Sequence, residues 1–199
     1  MLRDYPREMK LSDGTQVVIR PMVRADGPPV LEFFLNLPRE DRLFLRDDVT
    51  DETLIQKWVD ELNFERVIPI LAWVEDKVVG IASLHRSRHY WTRHVAHLRI
   101  VTALEIRQKG LGTILSRELC EIAFGLKLNK LFIQIAESQI AARCVFKRLG
   151  FYQEAVLKGH ITDPQGKQQD LILMAQDVAQ CWDTLNDQIM DTFADHSGG

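Results

Sequence analysis

The stretch RQKGLGT, residues 107–113, follows the segment HLRIVTAL (97–104), whose composition predicts a strand, and precedes LSRELCEIAF (115–124), whose periodicity predicts a helix. Gly110 and Gly112 lie one residue apart in this bend. Glycine lets an anion come close to the backbone because no Cβ intervenes, and the start of the helix adds the positive end of its dipole. The bend therefore predicts a pyrophosphate site.

Two common nucleotide motifs do not describe this bend. A P-loop has the pattern G-x-x-x-x-G-K-[ST], and a dinucleotide fold has G-x-G-x-x-G after its first strand. Here the third glycine is missing, and the bend follows the fourth predicted strand. Neither motif therefore accounts for the two glycines.

Length and composition predict one domain with an additional tail. The chain has 199 residues, of which 46% are hydrophobic, enough for a core of ordinary size. Its 25 basic and 28 acidic residues give a net charge of -3, so we expect no general attraction to nucleic acid or to a membrane. No apolar run approaches the roughly 20 residues of a membrane span, and the first residues lack the apolar centre of a signal peptide. We expect a cytoplasmic protein.

The cysteines and the secondary-structure patterns set further expectations. Cys120, Cys144 and Cys181 occur singly, without metal-type spacing, so we expect reduced, buried cysteines and no metal.

Strands are predicted at 15–20, 67–75, 77–86, 97–104, 131–136, 154–161 and 168–175, and helices at 28–37, 53–62, 111–126 and 140–149.

The order of these elements predicts a mixed α/β fold with a mostly antiparallel central sheet and flanking helices. The strand, helix and strand at 97–136 imply a parallel pair with a right-handed crossover. The last two strands flank Asp163-Pro164-Gln165-Gly166, a turn that predicts an antiparallel hairpin. Residues 177–199 are predicted to form an additional amphipathic helix and tail beyond the domain at 1–176, with an apolar stripe of Val178, Trp182, Leu185, Ile189 and Phe193.

Two motifs in this order of elements resemble the GNAT superfamily of N-acetyltransferases. Arg107, Gly110 and Gly112 match its signature [QR]-x-x-G-x-[GA], and SQIAARCVFKRLGF (138–151) is similar to its N-x-x-A-x-x-x-Y-x-x-x-G-F. The resemblance covers residues 15–176. It implies an enzyme that uses acetyl-CoA, with the coenzyme A pyrophosphate at the bend and the pantetheine arm between the fourth and fifth predicted strands, which splay apart.

The same resemblance implies which residues bind acetyl-CoA. Backbone groups of the fourth predicted strand would hold the pantetheine arm and polarise the thioester carbonyl, and the bend and the last helix supply the remaining contacts. The implied residues are Ile100, Val101, Thr102, Arg107, Gln108, Lys109, Gly110, Leu111, Gly112, Thr113, Gln139 and Phe146.

Two of these residues depart from the pattern of the family. Gln139 stands where asparagine is usual, and its amide still donates and accepts hydrogen bonds from a longer side chain. Phe146 stands where many members carry a tyrosine that protonates the departing thiolate. A thiol has a pKa of about 8.5, so its thiolate leaves without full protonation and transfer does not require that acid.

The acceptor amine must lose a proton before it attacks, because an alkyl amine has a pKa of about 10.4. His97 lies close to the position where protein-acetylating members carry a glutamate base, and histidine titrates in the useful range. Glu105 is the second candidate base. Each residue also has an ordinary structural interpretation, as a packed strand residue and a solvated side chain.

The segment 85–97 around His97 holds four histidines and three arginines. A solvated loop is the simplest interpretation, since the spacing is poor for a metal site and the segment is short for a nucleic-acid patch. If it is functional, it favours an acceptor that carries a carboxylate or a phosphate.

The sequence leaves the acceptor and the role open. LSDGTQVVIRPM (11–22) resembles the entry strand of bacterial protein-lysine acetyltransferase domains, and a small amine or amino acid is an equally good acceptor. A homodimer is also possible. The main hypothesis is direct acetyl transfer to a primary amine, and the alternative is an acetyl-CoA-binding module without catalysis, with a sensor or regulatory role.

Overall fold

The computed structural model describes residues 2–42, 44–45, 47–163 and 166–183. Within these ranges the chain forms one sheet, five α-helices and a helical segment at 178–183. The strands are β1 Arg7–Lys10, β2 Gln16–Pro21, β3 Val67–Val74, β4 Lys77–Arg86, β5 Val95–Thr102, β6 Lys130–Ala136, β7 Tyr152–Thr162 and β8 Gln168–Asp177. The helices are α1 Gly27–Asn36, α2 Arg39–Arg42, α3 Glu52–Asp60, α4 Leu111–Gly125 and α5 Ile140–Arg148. None of the described helices has the length and apolar character of a membrane span.

The sheet confirms the predicted mixed α/β class. Its order is β1-β2-β3-β4-β5-β6-β8-β7. β5 and β6 are parallel and the other neighbouring strands are antiparallel. The crossover through α4 and the hairpins β3–β4 and β7–β8 all agree with the sequence patterns. At the end of α5, Gly150 has the left-handed conformation (φ 87°) expected of a glycine that ends a helix.

Helix α4 is fixed on the sheet by the apolar stripe that its sequence predicts. Leu111, Leu115, Leu119 and Ile122 are each at most 1% exposed, and the helix packs against β4 and β5. These four side chains are spaced three or four residues apart and therefore share one face of the helix. Their burial fixes the start of α4 at the end of β5, where the glycine bend lies.

Strand β1 was not predicted, and it is attached to α4 through a buried carboxylate. Glu118 is 4% exposed and accepts hydrogen bonds from the Tyr5 hydroxyl at 2.6 Å and from Arg7 Nη1 at 3.1 Å. Arg7 also pairs with Glu121 at 2.5 and 2.6 Å. Burial raises the pKa of Tyr5 well above its ordinary value, so its hydroxyl stays protonated and donates to Glu118.

The expected burial of Cys120 and Cys181 is confirmed, but the expectation that these two cysteines are reduced was wrong, as was the expected burial of Cys144. Cys120 of α4 forms a disulfide with Cys181, and Cys144 is exposed. The pairing depends on the end of β8, which brings residues 178–183, a helical segment, onto α4; Trp182 stacks on Phe124 there, with ring centroids 4.6 Å apart. The predicted C-terminal helix beyond residue 183, with Leu185, Ile189 and Phe193, lies outside the described residues.

We predict that Arg7→Met lowers the free energy of unfolding by about 3 kcal/mol, because it leaves the buried Glu118 carboxylate without its cationic partner. Lys10→Met is the matched control, since Lys10 is an exposed cation in the same strand, and a surface substitution of this kind changes stability by about 0.5 kcal/mol or less. Urea denaturation of both variants measures the difference. Equal stability of the two variants would show that the Arg7–Glu118 contact does not hold β1 in place.

Candidate functional site

Strands β5 and β6 pair over a short stretch and then part. Their parallel pairing begins with Val95 opposite Lys130 and ends with His97 opposite Phe132. β5 continues to Thr102, and no further pair joins it to β6 in the described part of the chain. The two strands therefore enclose a gap that opens toward the start of α4, and we call this gap the wedge.

The alternating direction of N–H and C=O groups along β5 determines which of them face the wedge. Successive residues direct their N–H and C=O groups to opposite edges. The Ala103 N–H donates to a carbonyl at the β4 side, and the His94 carbonyl accepts from β6, so even-numbered residues of β5 face β6. Ile100 and Thr102 therefore present backbone groups to the wedge. Val101, which the resemblance also implied, directs its backbone groups to β4.

The glycine bend places a set of backbone amides at the end of β5. Gln108 and Gly110 both have positive φ values, 62° and 92°, and α4 begins directly after them. The first amides of the helix, those of Leu111, Gly112 and Thr113, have no acceptor within the helix, and no side chain of the described residues caps them. A Cβ placed on Gly112 would meet no atom of the described residues within 4 Å. The protein itself therefore gives no steric reason for glycine at 112, whereas an anion bound against the amides does.

The two cations of the bend are held by carboxylates of the protein. Arg107 Nη2 donates to Asp41 at 2.7 Å and to the Thr102 carbonyl at 3.3 Å. Lys109 lies 2.9 Å from Asp13 and lowers the pKa of that carboxyl to about 2. Because both side chains are paired, the attraction of the bend for an anion depends mainly on its amides and on the helix dipole.

The other two residues implied by the resemblance lie beyond β6. Gln139 accepts a hydrogen bond through Oε1 from the Ala136 N–H at 3.0 Å, at the end of the strand. Phe146 is 5% exposed and packs edge-on against Phe151, with ring centroids 5.2 Å apart. Phe146 therefore contributes an apolar, buried ring from α5.

A cleft on the sheet surface lies next to the closed end of the wedge. It encloses about 450 Å³, and we call it the histidine cleft; its lining residues are His85, Arg86, Ser87, Thr92, Val95, His97, Arg99, Phe132 and Gln134. The His97 ring stacks on Phe132 with centroids 4.7 Å apart, and His85, opposite it on β4, shares a hydrogen bond of 2.9 Å with Ser83.

The cleft and helix α4 lie on opposite faces of the sheet. A Cβ placed on Gly80, which pairs with Thr102, would point at side chains of α4, so even-numbered residues of β5 face that helix. His97 and Arg99 are odd-numbered and face the other way. The wedge therefore lies between a helix start that is suited to a pyrophosphate and a separate cleft that is suited to a second ligand.

The structure separates the two candidate bases. His97 is partly buried in the histidine cleft, at the closed end of the wedge. Glu105 is exposed in a turn after β5, and the six strand residues from His97 to Thr102 already span about 16 Å. Only His97 therefore lies where a ligand in the cleft would meet the wedge.

Sequence reasoning missed part of the cleft. The segment 85–97 was interpreted as a solvated loop, but its two ends lie on β4 and β5, where His85 pairs with His97. His89 and His94 are exposed in the connection. The antiparallel register of the two strands was the signal that could have found this pair. Phe132 and Gln134 carried no signal, because their approach depends on the pairing of β6 with β5.

Comparisons with known proteins agree with this geometry. A sequence model of the acetyltransferase (GNAT) family matches residues 31–151. The chain is similar to a GNAT-family acetyltransferase from Streptococcus pneumoniae (22% identity, 81% of this chain and 99% of that one, TM-score 0.73) and to ribosomal-protein-alanine N-acetyltransferase from Brucella melitensis (25%, 80% and 98%, 0.69). It is also similar to Salmonella typhimurium yncA, solved with its cofactor acetyl-CoA (18%, 81% and 94%, 0.70). Curated proteins gave no significant match.

We predict that Gly112→Ala and Gly112→Asp weaken coenzyme A binding by about tenfold or more without loss of stability. The added side chain blocks the amides, and the aspartate also repels a pyrophosphate. Alanine favours a helix over glycine, and aspartate near a helix start interacts well with the dipole, so neither change should lower the melting temperature. Gly110 is the poorer test, because its φ of 92° strains any other residue.

Calorimetric titration with coenzyme A and thermal unfolding of the same samples measure the two effects separately. Gly27→Ala is a control for a glycine substitution far from the bend in sequence, because Gly27 has a helical φ of -51° and an added Cβ there meets its neighbours at ordinary contact distances. Unchanged coenzyme A affinity in both Gly112 variants would contradict the assignment of the bend as the pyrophosphate site.

Proposed function

The chain belongs to the acetyltransferase (GNAT) family, and we propose that it transfers the acetyl group of acetyl-CoA directly to a primary amine held in the histidine cleft. The observation that carries the proposal is the junction of the wedge and the cleft at His97 and Phe132. A cofactor in the wedge and an acceptor in the cleft would approach each other from opposite faces of one sheet.

The residues around the wedge fit coenzyme A. The amides of Leu111, Gly112 and Thr113 would hold the pyrophosphate, since they lack partners within the helix and Gly112 leaves open space beside them. Ile100 and Thr102 would form backbone hydrogen bonds with the pantetheine arm, in the way that β5 and β6 pair before they part.

Acetyl-CoA would supply a thioester. Its carbon–sulfur bond would break as the acceptor nitrogen bonds to the acetyl carbon, and coenzyme A would depart as a thiolate. His97 accepts the proton that the amine loses, because its ring lies in the cleft and the ordinary pKa of histidine is about 6.5. Phe132 stacks on the ring and holds its plane.

No acid from position 146 takes part in this mechanism. Phe146 is buried and has no proton to give, so the thiolate leaves as the anion and takes its proton from solvent. The rate of transfer should therefore rise with pH as the base loses its proton. It should not fall again at higher pH, because there is no tyrosine acid whose deprotonation would slow the reaction.

We predict that the protein releases free thiol when acetyl-CoA is mixed with a panel of primary amines. The panel contains small amines, amino acids and lysine peptides, and a chromogenic thiol reagent measures release. An acetyl-CoA-binding module without catalysis, the alternative that Phe146 favours, would bind acetyl-CoA in a calorimeter and release no thiol with any amine. That pair of results would contradict the proposed function.

We predict that His97→Gln lowers turnover at neutral pH by about a hundredfold or more, with partial recovery at high pH, where more of the amine is already unprotonated. Glutamine keeps much of the volume that packs on Phe132 but does not titrate. Coenzyme A affinity should change little, because His97 lies on the acceptor side.

His94→Gln is the matched control, since His94 is an exposed histidine just before the same strand. The His94→Gln variant should show the same dependence of turnover on pH as the protein without substitutions. Full turnover of His97→Gln across the whole pH range would show that His97 has a packing role only, and Glu105 or a chain of waters would then be the leading candidate.

A further inference from the structure

The connection between β4 and β5 exposes two aromatic side chains. Tyr90 and Trp91 are 79% and 80% exposed, more than any other large apolar side chain of the described residues. A large apolar surface in water is unfavourable, and tyrosine, tryptophan and arginine are the residues enriched where proteins bind one another. These two side chains therefore mark a surface that a partner can cover. We call residues 87–93 the aromatic loop.

The aromatic loop has a defined shape. Its middle is a single turn of 3-10 helix. The Thr92 N–H donates to the His89 carbonyl at 3.1 Å, and the hydroxyls of Ser87 and Thr92 share a hydrogen bond across the base of the loop. The guanidinium group of Arg93 lies over the Tyr90 ring, with Cζ 4.0 Å from the ring centre. A loop that is already ordered loses little conformational entropy when it binds a partner.

The aromatic loop is also basic. No aspartate or glutamate occurs between residues 77 and 104. Arg88 and Arg93 are exposed, and none of the ion pairs among the described residues includes either of them. Arg93 contacts Tyr90 through the flat face of its guanidinium group, which leaves the N–H donors at the edge for carboxylates. The loop is therefore complementary to a segment that is acidic and partly apolar.

The aromatic loop lies at the rim of the histidine cleft. Ser87 and Thr92, which close the base of the loop, are also lining residues of the cleft. A small amine can bind within a cleft of about 450 Å³ without touching the loop. An amine carried by a protein differs, because the rest of that protein must lie against the surface around the cleft. The loop is part of that surface.

We infer that the aromatic loop docks an acidic, partly apolar segment of an acceptor protein. Trp91 is the apolar anchor, and Arg88 and Arg93 pair with carboxylates of the segment. The inference rests on the proposed function, because the docked protein presents its amine to the same cleft.

Other partners fit the aromatic loop less well. A protein that binds nucleic acid commonly contacts about six to ten phosphates, and a basic cluster that binds a membrane carries about four to eight cations. The loop offers only Arg88 and Arg93. A second copy of the chain would bring the arginines of both loops together, and like charges repel. Charge and size therefore favour a short acidic segment of a protein.

A matched pair of peptides tests the docking. One peptide has a central lysine flanked by glutamates and one leucine, and the other has glutamine in place of each glutamate. Fluorescence anisotropy of the labelled peptides measures their binding to the protein saturated with coenzyme A, so no acetyl transfer is needed. We expect the glutamate peptide to bind about tenfold or more tightly than the glutamine peptide, and its affinity to fall as the salt concentration rises.

Substitutions in the loop locate the binding. Trp91→Ala should lower the affinity for the glutamate peptide by about tenfold or more. Arg88→Gln and Arg93→Gln should each reduce the preference for the glutamate peptide. Tyr152→Ala and Arg24→Gln are the matched controls, because they remove an exposed aromatic ring and an exposed arginine outside the loop. Both controls should keep the affinity, and circular dichroism checks that each variant is folded.

Three results would overturn the inference. The first is equal binding of the two peptides, and the second is unchanged binding of the glutamate peptide in Trp91→Ala and in both arginine variants. The third is tighter binding of a uridine oligonucleotide or of phosphatidylserine vesicles, or a dimer in solution, that Trp91→Ala abolishes. Absence of thiol release with every amine contradicts the proposed function instead, and preferred binding of the glutamate peptide would still support docking at the loop.

Discussion

The parting of β5 and β6 after His97 and Phe132 is the constraint on which the rest of the site depends. A strand inside a sheet normally has partners on both edges, and backbone groups without partners are costly when they are shielded from water. Within the described part of the chain, no strand pairs with the edge of β5 at Ile100 and Thr102. A ligand with amide groups of its own can complete that edge, and the pantetheine arm of coenzyme A has two of them.

Neighbouring elements hold the wedge open and fix its orientation. The leucine stripe of α4 fixes the helix start at the end of β5, and the bend before it is attached to two other parts of the chain. Asp13 in the turn after β1 pairs with Lys109, and Asp41 of α2 pairs with Arg107, which also donates to the Thr102 carbonyl. The bend that presents the amides is therefore attached to two other parts of the chain, which favours a site that binds without rearrangement.

Features that depend on residues close together in the sequence could be predicted from it. The bend of Gly110 and Gly112, the stripe of α4 and the parallel crossover all follow from local spacing and chain order. Strand β1 could not be predicted, because REMK has no clear alternation and is held by Glu118, more than a hundred residues away. The Cys120–Cys181 disulfide and the stacking of His97 on Phe132 likewise depend on contacts between distant segments.

The measurement that tests the account most directly is amide hydrogen exchange, resolved by residue with NMR, in the presence and absence of coenzyme A. The account predicts that exchange slows at Ile100 and Thr102 on binding, together with the first amides of α4, while Val101 changes little because its backbone already pairs with β4. Unchanged exchange at Ile100 and Thr102 in protein that is saturated with coenzyme A would contradict it, because the cofactor would then lie outside the wedge.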